Sequence, residues 1–128
     1  MSIPTILIVD DEKDQLDNIK NYLELRIKCN FPSAANGEDA IEYIKSNFCD
    51  MMILDIRMPR KSGVEVLDVA KDMPIYKIVF TGWDSDQVLE ACINRGIDEY
   101  ITKGSSLVEL YDKVTKELKK RNQFLPLV

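Results

Sequence analysis

Two short apolar runs in this 128-residue chain end in carboxylates. Ile6–Val9 leads into Asp10, Asp11 and Glu12, and Met51–Leu54 leads into Asp55. Consecutive acids at a strand tip raise the cost of ionising one another. Capping a following helix needs one Asp rather than three acids, so a bound cation accounts better for the crowding. A third run, Ile78–Phe80, ends in Thr81-Gly82, and a half-polar run, Glu99–Thr102, ends in Lys103. Asp11 and Asp55 offer hard oxygen ligands of the kind that suits Mg²⁺, which keeps several waters and takes one or two carboxylates plus phosphate oxygens. A carboxylate can also attack phosphorus to give an aspartyl phosphate. The metal and Lys103 would then balance charge on the phosphoryl group, with the Thr81 hydroxyl bonding one of its oxygens. Each residue also has a plain structural explanation: Asp55 opens a loop, Thr81 suits a strand, and a lone lysine is usually solvated. Their coincidence at strand ends favours a site.

The elements that must position these residues alternate. Ile6–Val9, Met51–Leu54 and Ile78–Phe80 read as strands covered on both faces of a parallel sheet. Phe31–Ala35, with Pro32, and Glu99–Thr102 are weaker and suit sheet edges. Helical stripes lie between and after them: Leu16, Ile19, Leu23 and Ile27; Ala40, Ile41, Ile44 and Phe48; Val66, Leu67 and Ala70; Val88, Leu89 and Cys92; Leu107, Leu110, Tyr111, Val114 and Leu118. Asn36-Gly37, often a hairpin signal, is followed by helical spacing and reads as a strand-to-helix turn. The pattern predicts an α/β fold, a doubly wound (βα)5 flavodoxin-like parallel sheet of order 2-1-3-4-5, with the weak strands at its edges. In such a sheet ligands bind beyond the carboxyl ends of the strands, where the site residues fall.

Composition narrows the class. The chain is 45% hydrophobic and carries net charge −5, suiting one compact domain over residues 1–128 and arguing against direct nucleic-acid binding. Cys29, Cys49 and Cys92 have no CxxC spacing and read as reduced thiols of a cytoplasmic protein. No apolar stretch reaches the length of a membrane span. With no histidine at all, imidazole triads and imidazole metal sites are excluded.

The motifs ILIVDDE, ILDIRMPRKSG, VFTG and GIDEYITK together resemble the receiver domain of response regulators in two-component signalling. The resemblance covers nearly the whole chain. It implies that Asp55 is the phosphoacceptor, Asp11 a direct Mg²⁺ ligand, Asp10 a ligand through water, and the Arg57 backbone carbonyl a further metal contact. Lys103 then pairs with the phosphoryl group, while Thr81 and Tyr100 are the hydroxyl and aromatic switch residues. The implied donor is a phosphohistidine on a sensor histidine kinase or a histidine phosphotransfer protein. The implied readout is a change in the surface of the fourth helix, fifth strand and fifth helix, leading to self-association or to an output domain. Such a protein is no conventional enzyme, although it catalyses its own aspartyl phosphorylation and dephosphorylation. No output domain is expected within residues 1–128. The family pattern places proline after the lysine, where this chain has Gly104.

Three other assignments fit parts of the pattern. A haloacid-dehalogenase-like phosphatase would use Asp10 as nucleophile, but the chain lacks the later paired acids and has little room for a cap. A flavodoxin-like cofactor binder would need a phosphate-binding loop, whereas DDEKD repels phosphate without metal. A receiver-like interaction module would escape phosphorylation altogether. Flanking the site, Arg57 lies two residues after Asp55 and Trp83 two after Thr81. Both are expected to tune the lifetime of the phosphoryl group by shielding it from water.

Overall fold

A computed structural model describes residues 2–82, 85–104 and 106–127. Five βα units follow one another: β1 (Ile6–Val9), α1 (Lys13–Glu24), β2 (Ser33–Ala34), α2 (Gly37–Ser46), β3 (Met51–Leu54), α3 (Gly63–Ala70), β4 (Tyr76–Thr81), α4 (Asp86–Ile93), β5 (Glu99–Thr102) and α5 (Leu107–Lys120). The strands form one parallel sheet in the order β2-β1-β3-β4-β5. Both weak strands are at its edges, as their proline and polar content predicts.

Residues of the apolar strands alternate between two cores. Leu7, Val9, Met52, Leu54 and Val79 pack with α2, α3 and α4. Ile6, Ile8, Met51, Ile53, Ile78 and Phe80 pack with Ile19 and Leu23 of α1 and with Leu110, Val114 and Leu118 of α5. Two helix starts are fixed locally by a side chain. Asn36 accepts from the Asp39 amide at 2.8 Å and Ser85 from the Val88 amide at 3.2 Å, satisfying amides that a helix leaves unpaired.

Four boundaries differ from the sequence expectation. β2 is confined to Ser33–Ala34 rather than Phe31–Ala35, because Pro32 has no amide to donate, although its carbonyl still accepts from Ile8 at 2.9 Å. β4 starts at Tyr76 rather than Ile78. The polar heads of Tyr76 and Lys77 reach Glu99 and the Met73 carbonyl, which leaves their stems free to pack in the sheet. Phe48, placed by periodicity on the buried stripe of α2, is 68% exposed, because that helix ends at Ser46 and Asn47 is extended. Ile27 is buried as expected but lies beyond α1, which ends at Glu24. There the chain following α5 returns and pairs antiparallel with it: Lys28 donates to Leu125 at 2.8 Å and Leu127 to Arg26 at 3.0 Å.

Candidate functional site

Strand register brings the site together. Val9 pairs with Leu54, so Asp10 and Asp55 leave the sheet side by side; the Asp55 amide donates to the Val9 carbonyl at 3.0 Å. Thr81 closes β4 opposite Thr102, and Lys103 follows. Asp10 and Asp55 are 2% and 5% exposed and Thr81 is wholly buried, whereas Asp11 faces solvent.

Lys103 Nζ donates to Asp10 Oδ2 at 2.7 Å and to Asp55 Oδ2 at 3.1 Å. Thr81 Oγ1 donates to Asp55 Oδ1 at 2.9 Å. Asp10 Oδ1 accepts from the Glu12 amide at 2.9 Å. Glu12, the residue preceding α1, makes no side-chain cap bond. The triple-acid run is therefore not a helix cap, and the Glu12 amide is a site contact that the sequence did not reveal.

Burial dominates at Asp10 and raises its carboxyl above the ordinary value, against the lowering effect of Lys103 and the Glu12 amide. Burial pulls the other way at Lys103. There the hydrogen bond that it donates to Asp10 and the charges of Asp55 and Asp10 prevail, and its value is raised. The ammonium is held charged between two carboxylates.

Carboxylate oxygens of Asp10, Asp11 and Asp55 lie within 4.8 Å of one another, a group compact enough to hold a metal ion. Three carboxylates and one ammonium leave a local charge of −2 (3 negative, 1 positive), which a divalent cation balances. The donors are all oxygen, as Mg²⁺ requires, and the exposed Asp11 leaves a side open to water. The residues present fit the ion.

The sequence model of the response regulator receiver domain matches residues 6–115, the span that carries all of these groups. The chain belongs to the response regulator receiver domain family. It is 36% identical over 126 residues to the transcriptional regulatory protein YvrH of Bacillus subtilis, across 96% of this chain and 52% of that protein. It is 33% identical over 119 residues to a cyclic di-GMP phosphodiesterase of Thermotoga maritima, across 91% of this chain and 32% of that protein. The chain thus spans 52% of the first relative and 32% of the second. A CheY-like response regulator receiver domain from Methanospirillum hungatei has the same fold, with a TM-score of 0.87 at 31% identity over 95% of this chain and 98% of that one.

Within this receiver domain the remaining expected residues are placed differently. Arg57 is exposed on the loop between β3 and α3. Tyr100 sits half-buried on β5, at the margin of the core shared by α2, α3 and α4. Trp83 lies outside the described residues. The Lys103–Gly104 peptide is trans. No helix among the described residues is long and apolar enough to cross a membrane.

Proposed function

We propose that Asp55 of this receiver domain accepts a phosphoryl group from a phosphohistidine on a sensor histidine kinase or histidine phosphotransfer protein. The observation that carries this reading is a buried carboxylate with Lys103 on one oxygen and Thr81 on the other, beside the acids Asp10 and Asp11. An Asp55 carboxylate oxygen attacks phosphorus, the phosphorus–nitrogen bond breaks, and the imidazole nitrogen leaves with the bonding pair. Lys103 is placed to follow charge onto the phosphoryl oxygens, and Thr81 to donate to one of them. Asp10, Asp11, Asp55 and the Arg57 carbonyl would hold Mg²⁺, whose charge would neutralise the anions that must meet. Asp10 keeps Lys103 oriented through their 2.7 Å bond.

In this reading residues 1–128 act as one cytoplasmic receiver unit that promotes its own phosphorylation and dephosphorylation. The phosphorylated surface around α4, β5 and α5, including Tyr100, passes the signal to an output domain or a second copy. Support for an output role comes from relatives that are about twice and three times as long as the matched region. Acetyl phosphate with Mg²⁺ tests the chemistry. A hydroxylamine-labile adduct should form on wild type and vanish in Asp55→Asn; labelling that persists in that variant would point to another nucleophile, such as Asp10.

A further inference from the structure

The loop between β3 and α3 carries the Arg57 carbonyl, and it is held from outside by a helix that contributes nothing to the acid cluster. Glu38, in the first turn of α2, donates its amide to the Arg60 carbonyl at 2.8 Å. A Cβ on Gly37 would overlap the Lys61 carbonyl oxygen and come within 2.6 Å of its carbon, so backbone packs on backbone here. Gly37 does not have positive φ, so its missing side chain serves this approach and not a special conformation. Alanine would otherwise favour the helix.

The loop residues it touches are strained. Arg60 and Lys61 have φ of 48° and 72°, a left-handed conformation that residues with side chains adopt only when their surroundings impose it. At the other end, the Gly63 amide donates to the Ile56 carbonyl at 2.9 Å, and a Cβ on Gly63 would overlap the Asp55 carbonyl oxygen. The backbone from Asp55 to Gly63 is therefore pinned at two points, one by its own closure and one by α2.

We propose that Gly37 and the Glu38 amide are positioning groups for the metal site: they set the path of the β3–α3 loop, and so its affinity for Mg²⁺, without touching the ion. This rests on the Mg²⁺ site proposed above. The role is that of an outer support whose loss lowers metal affinity while the ligands themselves remain.

Titration of Mg²⁺ followed by the amide chemical shifts of Asp11 and Asp55 tests it. Gly37→Ala must push the loop aside. Glu38→Pro removes the donated hydrogen and sets its ring Cδ against the Arg60 carbonyl, and Glu38→Ala is its charge-matched control with the amide intact. Gly37→Ala and Glu38→Pro should each weaken Mg²⁺ binding roughly ten-fold relative to wild type and Glu38→Ala respectively. The Mg²⁺ concentration giving half-maximal acetyl phosphate labelling should shift by the same factor, with the rate at saturating Mg²⁺ nearly unchanged. A merely structural role would lower the melting temperature and leave the affinity of the folded protein alone. If Glu38→Pro binds Mg²⁺ within about two-fold of Glu38→Ala, the positioning role is overturned even when Gly37→Ala fails to fold. Absence of any Mg²⁺ response in wild type would instead overturn the metal site itself, and this role with it.

Discussion

Thr81 donates its hydroxyl to the Asp55 carboxylate at 2.9 Å with the carboxylate unmodified, and both side chains are buried. A hydroxyl waiting outside the site would have to be drawn inward by phosphate, but this one is already inside. Phosphorylation should therefore exchange its acceptor, from Asp55 Oδ1 to a phosphoryl oxygen, with little travel. Any movement of Tyr100 must then come from the rearranged strand end and not from space that Thr81 vacates. Thr81→Val should cost about 1 kcal/mol of stability through the lost buried hydrogen bond. It should still be labelled at Asp55 but lose most of the beryllofluoride-induced shift changes in β5 and α5. A full response in that variant would show that the hydroxyl does not transmit the signal.

Mg²⁺ bound at the acid cluster would neutralise the same carboxylates that Lys103 pairs with. Saturating Mg²⁺ should raise the melting temperature, corresponding to about 2.7 kcal/mol at a hundred-fold excess over Kd, and Asp11→Asn should lose most of that gain. Lys103→Met leaves Asp10 and Asp55 facing one another without their shared ammonium. Breaking this buried arrangement should cost about 3 kcal/mol in the absence of metal. Thermal melts should then show a larger Mg²⁺ gain for Lys103→Met than for wild type. Equal gains would mean that the ammonium and the ion act independently.

Lifetime of the phosphoryl group should depend on Arg57 and Trp83, two residues beyond Asp55 and Thr81. A large side chain over the phosphoryl group hinders the in-line approach of water. Arg57→Ala and Trp83→Ala should each lose phosphate faster than wild type, and the double variant fastest, by phosphate-release assay. Slower or unchanged hydrolysis in both single variants would mean that Arg57 assists the reaction by its charge instead.

Alkali should weaken the fold through its thiols. Burial, with a smaller contribution from the Asp50 carboxylate, pushes Cys29 up to about 12 and Cys49 up to about 11, from an ordinary 9. Above pH 9 the unfolded chain releases thiol protons that the folded chain retains, so stability falls as pH rises. Each thiol contributes at most about 1.4 kcal/mol per pH unit, ending as pH passes its folded value. Urea titrations from pH 8 to 11 should give a shallower decline for Cys29→Ala and Cys49→Ala, whatever their stability at neutral pH.

The three central strands were legible because runs of three or four consecutive apolar residues between helical stripes suit buried strands, and β1 and β3 fall on the expected residues. Reading the residues at strand ends then named Asp10, Asp55, Thr81 and Lys103, all of which meet. Phe48 shows the limit of periodicity: it keeps helical spacing from Ile44 although the helix has already stopped. Lys77 shows the limit of polarity, since its long stem is buried while its ammonium reaches the Met73 carbonyl at 3.4 Å. Backbone contacts were invisible in principle. The Glu12 amide on Asp10 and the fit of Gly37 against Lys61 depend on chain path, which side-chain type does not encode.

Asp10 and Lys103 stand 93 residues apart in the chain yet share a 2.7 Å bond. The carboxylate cage is consequently absent from any partial chain: a ribosome must release β5 before the ammonium can close it. Any chemistry that needs this ammonium beside both carboxylates is therefore confined to chains folded through β5.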